Sequence, residues 1–219
     1  MDSVTPGRRS WVLAALVPAA VMALVVAGCV GVTGTTAASF LRQARENGDP
    51  NVRYRAYVKL GWPSSYDNDE QKLEAVRVLS AALEGEKEPV AARAVICRSL
   101  GQVGRPEARP ALLQAVNDPE PVVREEACRA LGRVGRPEDA TVLAQVMSVD
   151  TSGDCRIAAI EGLATLKAAD PRIEALLVES MEHKDPGIRL ASVRALKSIT
   201  GQDLGIEPGS WRAFVQGRR

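Results

Sequence analysis

The side chains that could do chemistry are few in this chain of 219 residues. A single histidine, His183, and three cysteines beyond position 29, Cys97, Cys128 and Cys155, are the residues suited to nucleophilic or metal chemistry. One histidine cannot supply a zinc site without cysteines at suitable spacing, and no P-loop, dinucleotide-binding glycine motif or nucleophile elbow is present. The sequence therefore predicts a protein that is not an enzyme and has neither a cofactor nor a bound metal.

Composition and charge narrow the classes of partner. Hydrophobic residues make up 46% of the chain and aromatic residues only 4%, which favours packing of helices through small residues. The formal net charge is +1, and beyond residue 28 basic and acidic residues are equal in number. Because a balanced chain exerts little long-range attraction on phosphates, nucleic acid is not an expected partner.

The first 28 residues have the three parts of a signal peptide. A polar start with Arg8 and Arg9 precedes an apolar run over residues 11–26, and small residues lead into Cys29. The apolar run is short for a membrane-spanning helix, which needs about 20 residues. Residues 26–29, Val-Ala-Gly-Cys, resemble the lipobox of bacterial lipoproteins, in which the cysteine becomes the first mature residue and carries lipid.

This resemblance predicts a signal peptide over residues 1–28, then a lipidated Cys29 and a flexible tether over residues 29–39. It implies an exported lipoprotein anchored in the membrane of the bacterial cell envelope, on the periplasmic face. Cleavage without lipidation and an uncleaved anchor are the alternatives. The pair Arg8-Arg9 also fits a twin-arginine export signal, so the export route stays open.

A pattern recurs five times between residues 49 and 200. Each copy contains an arginine that is followed seven residues later by a leucine, and successive arginines are 40, 31, 32 and 33 residues apart. The five are Arg53, Arg93, Arg124, Arg156 and Arg189. Self-similarity at this period predicts a stack of helix pairs, in which neighbours bury the apolar stripe that one pair leaves open.

Apolar spacing and helix-start signals place the helices. Asp-Pro pairs at 49–50, 118–119, 170–171 and 185–186 predict N-caps followed by first-turn prolines. The predicted first helices span about 50–61, 89–102, 121–134, 154–167 and 186–199. The predicted second helices span about 69–84, 107–117, 138–148 and 171–183, and a tail helix closes the last pair. Gly101 and Gly132 predict either a left-handed residue or a close backbone contact.

The Asp-Pro start, the Val/Ile-Arg pair, the alanine and the Leu-Gly resemble the HEAT-repeat family, in particular the short repeats of bacterial proteins and phycobilin lyases. The resemblance implies an all-α fold, a right-handed α-solenoid of about five HEAT-like helix pairs over residues 40–200. Residues 201–219 form a tail with a short C-terminal capping helix.

The same resemblance implies a ladder of acids and arginines between repeats. It maps onto the five repeat arginines with Asp49, Asp118 and Asp185. The second unit has Glu88 where Asp is expected, and the fourth has only Asp150 or Asp154 nearby. The sequence therefore predicts an incomplete ladder.

The ends and the cysteines have structural interpretations. Aromatic residues of the tail, Trp211 and Phe214, are expected to cover the last pair, and Phe40 and Leu41 the first. Cys155 occupies a core position, while Cys97 and Cys128 are equivalent residues of stacked helices about 9–10 Å apart, too far for a disulfide without backbone movement. A structural disulfide is the alternative. His183 is expected at a helix end or in a loop.

The candidate partner-binding residues fall into two groups. Trp62 and Tyr66 lie in an insertion at residues 62–69, where they would anchor a partner or fold back over the first pair. The others are expected to be exposed on the second helices, which line the concave side of such solenoids. They are Glu107, Arg109, Gln114, Glu138, Gln145, Arg172, Glu179 and Glu182.

The sequence thus predicts a non-catalytic scaffold for protein–protein interaction, displayed from a membrane, with an unidentified protein partner. The alternative is a phycobilin-lyase-like or enzyme-associated protein, which the short repeats resemble. Export and the lack of an evident tetrapyrrole site argue against that alternative. A third possibility is a purely structural component of the envelope.

Overall fold

Helices account for all the regular structure in the described part of the chain. The structure, a computed structural model, describes residues 36–85 and 87–217. The export signal and Cys29 lie outside these residues. Within them there are no strands and eleven α-helices: α1 (Ala37–Glu46), α2 (Pro50–Leu60), α3 (Asp69–Glu84), α4 (Val90–Val103), α5 (Arg109–Ala115), α6 (Pro121–Val134), α7 (Ala140–Val149), α8 (Gly153–Leu166), α9 (Pro171–Ser180), α10 (Pro186–Thr200) and α11 (Pro208–Gln216).

The helices form five consecutive pairs, from α2–α3 to α10–α11, around one continuous core. Each predicted first helix matches α2, α4, α6, α8 or α10 to within one residue at either end. First helices pack closely on the first helices of neighbouring pairs, and second helices are more widely spaced. The predicted α-solenoid is therefore confirmed.

Two second helices begin differently from their prediction. Short 3₁₀ helices, Pro106–Ala108 and Pro137–Asp139, precede α5 and α7. Pro110 has no backbone N–H, so the α-helical bond that would join the first turn to α5 cannot form. At the start of the array, α1 begins at Ala37, so residues 37–39 of the predicted tether belong to the first helix.

Three of the four predicted N-caps are present. The carboxylates of Asp49, Asp170 and Asp185 each accept a hydrogen bond from the backbone N–H two residues further on, at 2.8, 2.7 and 2.7 Å. A proline follows each of them as the first residue of its helix. These caps satisfy amide groups that the helix itself leaves without a partner.

The prediction of an N-cap at Asp118 was wrong. Helix α6 begins three residues later at Pro121, and Glu120 occupies the N-cap position without a side-chain bond. A second proline therefore takes the first-turn position that Pro119 was expected to fill. The carboxylate of Asp118 instead binds the backbone N–H of Glu120 and the guanidinium of Arg93.

Glycines allow the first helices to approach one another closely. A Cβ atom on Gly132 would lie 2.6 Å from the Cα of Gly162, and one on Gly101 would lie 2.8 Å from the Cα of Ala130. Both Gly101 and Gly132 lie inside their helices, so close contact is the reason for glycine there. The left-handed conformation is found three residues after Gly101, at Gly104, where φ is 71°.

A helix packs on the pair at each end of the array, through the residues that the sequence predicted. At the front, α1 packs on α2 and α3 and buries Leu41, with Phe40 half-buried beside it. At the back, α11 packs on α9 and buries Trp211, whose indole N–H donates to the carbonyl of Gly205 at 3.0 Å. Phe214 meets the Trp211 ring edge to face, with centroids 6.3 Å apart.

Candidate functional site

A ladder of ion pairs joins consecutive repeats. Each rung runs from an arginine early in one first helix to an acid just before the next first helix, and each is bidentate. The rungs are Arg53–Glu88 (2.7 and 3.3 Å), Arg93–Asp118 (2.8 and 2.9 Å) and Arg124–Asp150 (2.8 and 2.9 Å). The arginines also donate to backbone carbonyls before their own helices. The ladder therefore fixes the loops between repeats.

The rungs are shielded from solvent, which strengthens them. The side chain of Arg124 is 14% exposed and that of Asp150 is 8% exposed. The hydrogen bond from Arg124 lowers the pKa of Asp150 against the smaller opposing effect of burial. Burial raises the pKa of Asp118, but the bonds from Arg93 and from the backbone outweigh it, so this pKa is also below its usual range. Both carboxylates are ionised at neutral pH.

The ladder stops at the fourth repeat. Arg156 has no carboxylate partner among the described residues: its Nε donates to the carbonyl of Met147 at 2.7 Å, and its Nη1 lies 3.2 Å from Nε2 of His183. Nδ1 of His183 accepts the backbone N–H of Asp185 at 3.0 Å. The predicted gaps were misplaced, because Glu88 and Asp150 complete their rungs and the gap lies at Arg156 instead.

Further ion pairs between repeats were not foreseen from the sequence. On the first helices, Arg98 binds Glu126 and Arg129 binds Glu161, at 2.6 and 3.0 Å. These opposite charges are 28 and 32 residues apart, close to the repeat period, which is the signal that would have revealed them.

The expectation that Arg109 is exposed was wrong. Its guanidinium makes bonds of 2.7 and 2.6 Å to the carboxylate of Asp139, which is 2% exposed. Burial raises the pKa of Asp139, but the bonds from Arg109 and from the backbone N–H of Arg136 lower it further than burial raises it. Arg109 therefore ties the start of α5 to the 3₁₀ turn that precedes α7.

The three cysteines are buried free thiols, as expected for core residues. Burial raises the pKa of both Cys97 and Cys128 to about 12 and also raises that of Cys155. At neutral pH they are protonated, and a protonated buried thiol is not a nucleophile. In the described part of the chain, no three His, Cys, Asp or Glu side chains are grouped so that they could hold a metal ion.

The two aromatic candidates of the insertion point in different directions. Trp62 is 45% exposed, and Nζ of Lys59 lies 3.5 Å above its ring. Tyr66 is half-buried against the core, and its hydroxyl donates to the carbonyl of Leu60. Burial also raises the pKa of Tyr66. Trp62 is thus available to a partner, whereas Tyr66 anchors the insertion to the first pair.

The remaining candidates are exposed on the second-helix side. They are Glu107, Gln114, Glu138, Gln145, Arg172, Glu179 and Glu182. The acids at 107 and 138 lie in the 3₁₀ turns before α5 and α7, and the last three lie on or just after α9. Only the two glutamines lie on the middle helices α5 and α7 themselves.

Grooves open where the second helices are spaced apart. The groove between α7 and the segment that follows α5 has a volume of about 450 Å³ and is lined by Asn117, Val142, Gln145, Val146 and Val149, with the Arg124–Asp150 rung at its end. A groove of about 330 Å³ between α3 and α5 includes Gln114 and the Arg93–Asp118 rung. The sequence indicated the two glutamines but missed the valines.

The fold and the ladder define a solenoid of helix pairs joined by charged rungs. The model for HEAT repeats matches residues 76–164 and 145–206, which together cover more than half of the chain. The chain therefore belongs to the HEAT-repeat family. No curated protein matches its sequence.

Solved structures with the same fold include the complex of CpcE and CpcF of phycocyanin lyase from Nostoc sp. PCC7120. That match is 24% identical, has a TM-score of 0.62, and covers 83% of this chain and 69% of that chain. An engineered protein is 17% identical with a TM-score of 0.57, over 83% of this chain and 87% of that chain. At these identities the likeness extends to the fold alone.

Proposed function

We propose that this protein is a non-catalytic scaffold that binds a protein partner along its second-helix face. This face is the exposed surface of α5 and α7, with Leu113, Gln114, Val142, Gln145 and Val149. One observation carries the proposal. Helix α7 contains no charged residue, and the single charge of α5, Arg109, is bound to Asp139, although 25% of the whole chain is charged.

The composition of this face suits contact with protein. The centres of protein interfaces are depleted in charge and contain apolar groups that lose water on binding. Val149 is 70% exposed, and Val142 and Val146 are half-buried on either side of Gln145. Each glutamine amide offers both a donor and an acceptor, which fits the peptide groups of a partner backbone.

The neighbouring second helices set the limits of the face. Helix α3 exposes charges such as Arg77 and Glu84, and α9 exposes Arg172 and Glu179. Charged surroundings of an uncharged centre correspond to the polar rim of an interface. The proposed partner therefore covers α5 and α7 and makes polar contacts at α3 and α9.

The buried thiols support a non-catalytic role, because a protonated thiol shielded from solvent is not a nucleophile. The enzyme-associated alternative is favoured by the fold similarity to the complex of CpcE and CpcF of phycocyanin lyase. Pigment absorbance that co-purifies with the protein would establish that alternative.

Site-specific photo-crosslinking tests the scaffold. A crosslinking amino acid at Gln145 is expected to capture one saturable partner in native envelopes, whereas one at the exposed Arg194 on α10 captures none. Val149→Asp should abolish the product. Ile206→Asp is the matched control, because Ile206 is 73% exposed outside this face. A product that forms equally from both positions, or that survives Val149→Asp, contradicts the proposal.

The proposal includes export and anchoring through a lipid on Cys29, on the periplasmic face of the envelope membrane. It is supported by the signal-peptide pattern and the lipobox-like residues 26–29. No helix in the described ranges has the length and apolar character needed to cross a bilayer. The intact mass of the protein from its membrane fraction should equal that of residues 29–219 plus a diacylglyceryl group on the sulfur of Cys29, with or without one further acyl chain on its amine. A mass that retains residues 1–28, or an unmodified Cys29, refutes this part.

A further inference from the structure

On the first helices after α2, contacts with the preceding first helix recur at three positions. They lie two, six and nine residues after the repeat arginine. At the first, Glu126 binds Arg98 of the preceding helix. At the second, Ala130 meets Gly101. At the third, the hydroxyl of Ser198 donates to a carbonyl of α8 at 3.2 Å. These positions are thus the stacking surface of a repeat.

In the first repeat the same three positions have no preceding first helix to meet. They are Arg55 and Lys59 on α2 and Trp62, two residues after the end of α2, and we call them the end surface. In later repeats the middle position is a small, buried residue such as Ala130 or Ala195. Lys59 occupies the middle position in the first repeat and is much larger than these residues, so it leaves less room for another first helix. Arg55 and Lys59 have no carboxylate partner among the described residues, while the Trp62 ring lies beneath Lys59 and is 45% exposed.

The chain enters the fold near the C-terminal end of α2, where Trp62 lies. Helices α1 and α2 are joined by three residues and pack side by side, so they are antiparallel. Thr36 therefore lies at the same end as Trp62. Only seven residues separate Cys29 from Ala37, and a fully extended chain of that length reaches at most about 25 Å. A lipid on Cys29 would hold the end surface close to the bilayer.

We propose that the end surface docks on the anionic headgroups of the bilayer that holds the lipid anchor. This inference rests on the membrane attachment in the proposed function. Tryptophan prefers the membrane–water interface, and unpaired cations are attracted to anionic lipid. Keeping a terminal repeat soluble requires polar residues, but it does not require a tryptophan as exposed as Trp62.

Acrylamide quenching of tryptophan fluorescence tests the docking. Protein from its membrane fraction is reconstituted into vesicles of phosphatidylcholine, or of phosphatidylcholine and phosphatidylglycerol in equal parts. Trp211 is fully buried, so in the mature protein Trp62 reports accessibility. Trp62 should be protected from the neutral quencher on the anionic vesicles only, and high salt should remove the protection.

Substitutions identify the surface responsible. Arg55→Gln with Lys59→Gln should lower the ratio of docked to undocked molecules about thirtyfold, since each cation near an anionic surface contributes about 1 kcal/mol. The matched control is Arg133→Gln with Arg194→Gln, two exposed cations on α6 and α10 away from this end. It should leave the protection unchanged.

Flotation with the vesicles separates the two proposals. Protein that floats with both vesicle types but shows equal quenching on each overturns the docking and leaves the lipid anchor standing. Protection that persists in the Arg55→Gln and Lys59→Gln variant, or that the control also loses, overturns the assignment to the end surface. Protein that floats with neither vesicle type overturns the lipid anchor, and the docking with it.

Discussion

Replacing Gly132 with alanine tests how closely the first helices are packed. The new Cβ would lie 2.6 Å from the Cα and 3.0 Å from the carbonyl oxygen of Gly162, and neither atom can rotate away because both are backbone. Ordinary contact begins at 3.4 Å, so α6 and α8 must separate by about 0.8 Å. Overpacking typically costs about 1–3 kcal/mol, and a clash with backbone atoms belongs to the upper part of that range, about 2–3 kcal/mol. The higher helix preference of alanine returns roughly 1 kcal/mol. We expect a net loss of about 1–2 kcal/mol.

Urea unfolding followed by circular dichroism measures this loss. With a slope of about 2 kcal/mol per molar urea, the midpoint should fall by about 0.5–1 M. Gly209→Ala is the matched control, because Gly209 is also in a helix but no atom outside its immediate surroundings lies within 4 Å of the added Cβ. It should be neutral or slightly stabilising. A Gly132→Ala variant that unfolds at or above the wild-type midpoint refutes the packing argument.

Three further predictions concern the ladder and the cap. Asp150→Asn leaves the guanidinium of Arg124 without its carboxylate and should lower the free energy of unfolding, obtained from urea denaturation, by about 3 kcal/mol. The control is Asp154→Asn on the exposed start of α8, which should change this free energy by less than about 0.5 kcal/mol. Asp118 and Asp150 have lowered pKa values when folded, so their contribution is complete above the unfolded value near pH 4 and is lost as the pH falls below it. The urea midpoint should therefore decline below about pH 4, less steeply in Asp150→Asn. Trp211→Ala should lower the free energy of unfolding by about 3–5 kcal/mol. Amide hydrogen exchange should become faster in α10 and α11 but not in α4; an equal increase in all five pairs would contradict a cap that acts locally.

The first helices could be placed from the sequence because two signals coincide in each of them. The apolar stripe fixes which residues face the core, and the arginine-to-leucine spacing repeats that stripe in every unit. An error in one repeat is corrected by the others. The second helices lack such a repeated pair, and the 3₁₀ turns at Pro106 and Pro137 depend on local proline chemistry that periodicity does not detect.

The ladder was harder to predict because an Asp-Pro pair has two uses. Aspartate before proline can cap its own helix, as Asp185 does, or pair with the preceding repeat, as Asp118 does. The number of residues between the aspartate and the preceding repeat arginine distinguishes the capping role from the pairing role. Asp118 and Asp150 follow their arginines by 25 and 26 residues, and His183 follows Arg156 by 27. The rung position of the fourth repeat is thus filled by a histidine, which the Asp-Pro motif at 185 concealed.

The two proposed contacts use different sides of the array. The end surface belongs to the first repeat, whereas the second-helix face lies on α5 and α7, in the second and third repeats. No residue belongs to both, and an intervening repeat boundary separates them. Substitutions without shared contacts have nearly additive effects. We therefore expect Arg55→Gln with Lys59→Gln to leave crosslinking from Gln145 unchanged in yield. A matching loss of the crosslinked product would show that bilayer docking presents the partner-binding face, and would contradict two independent sites.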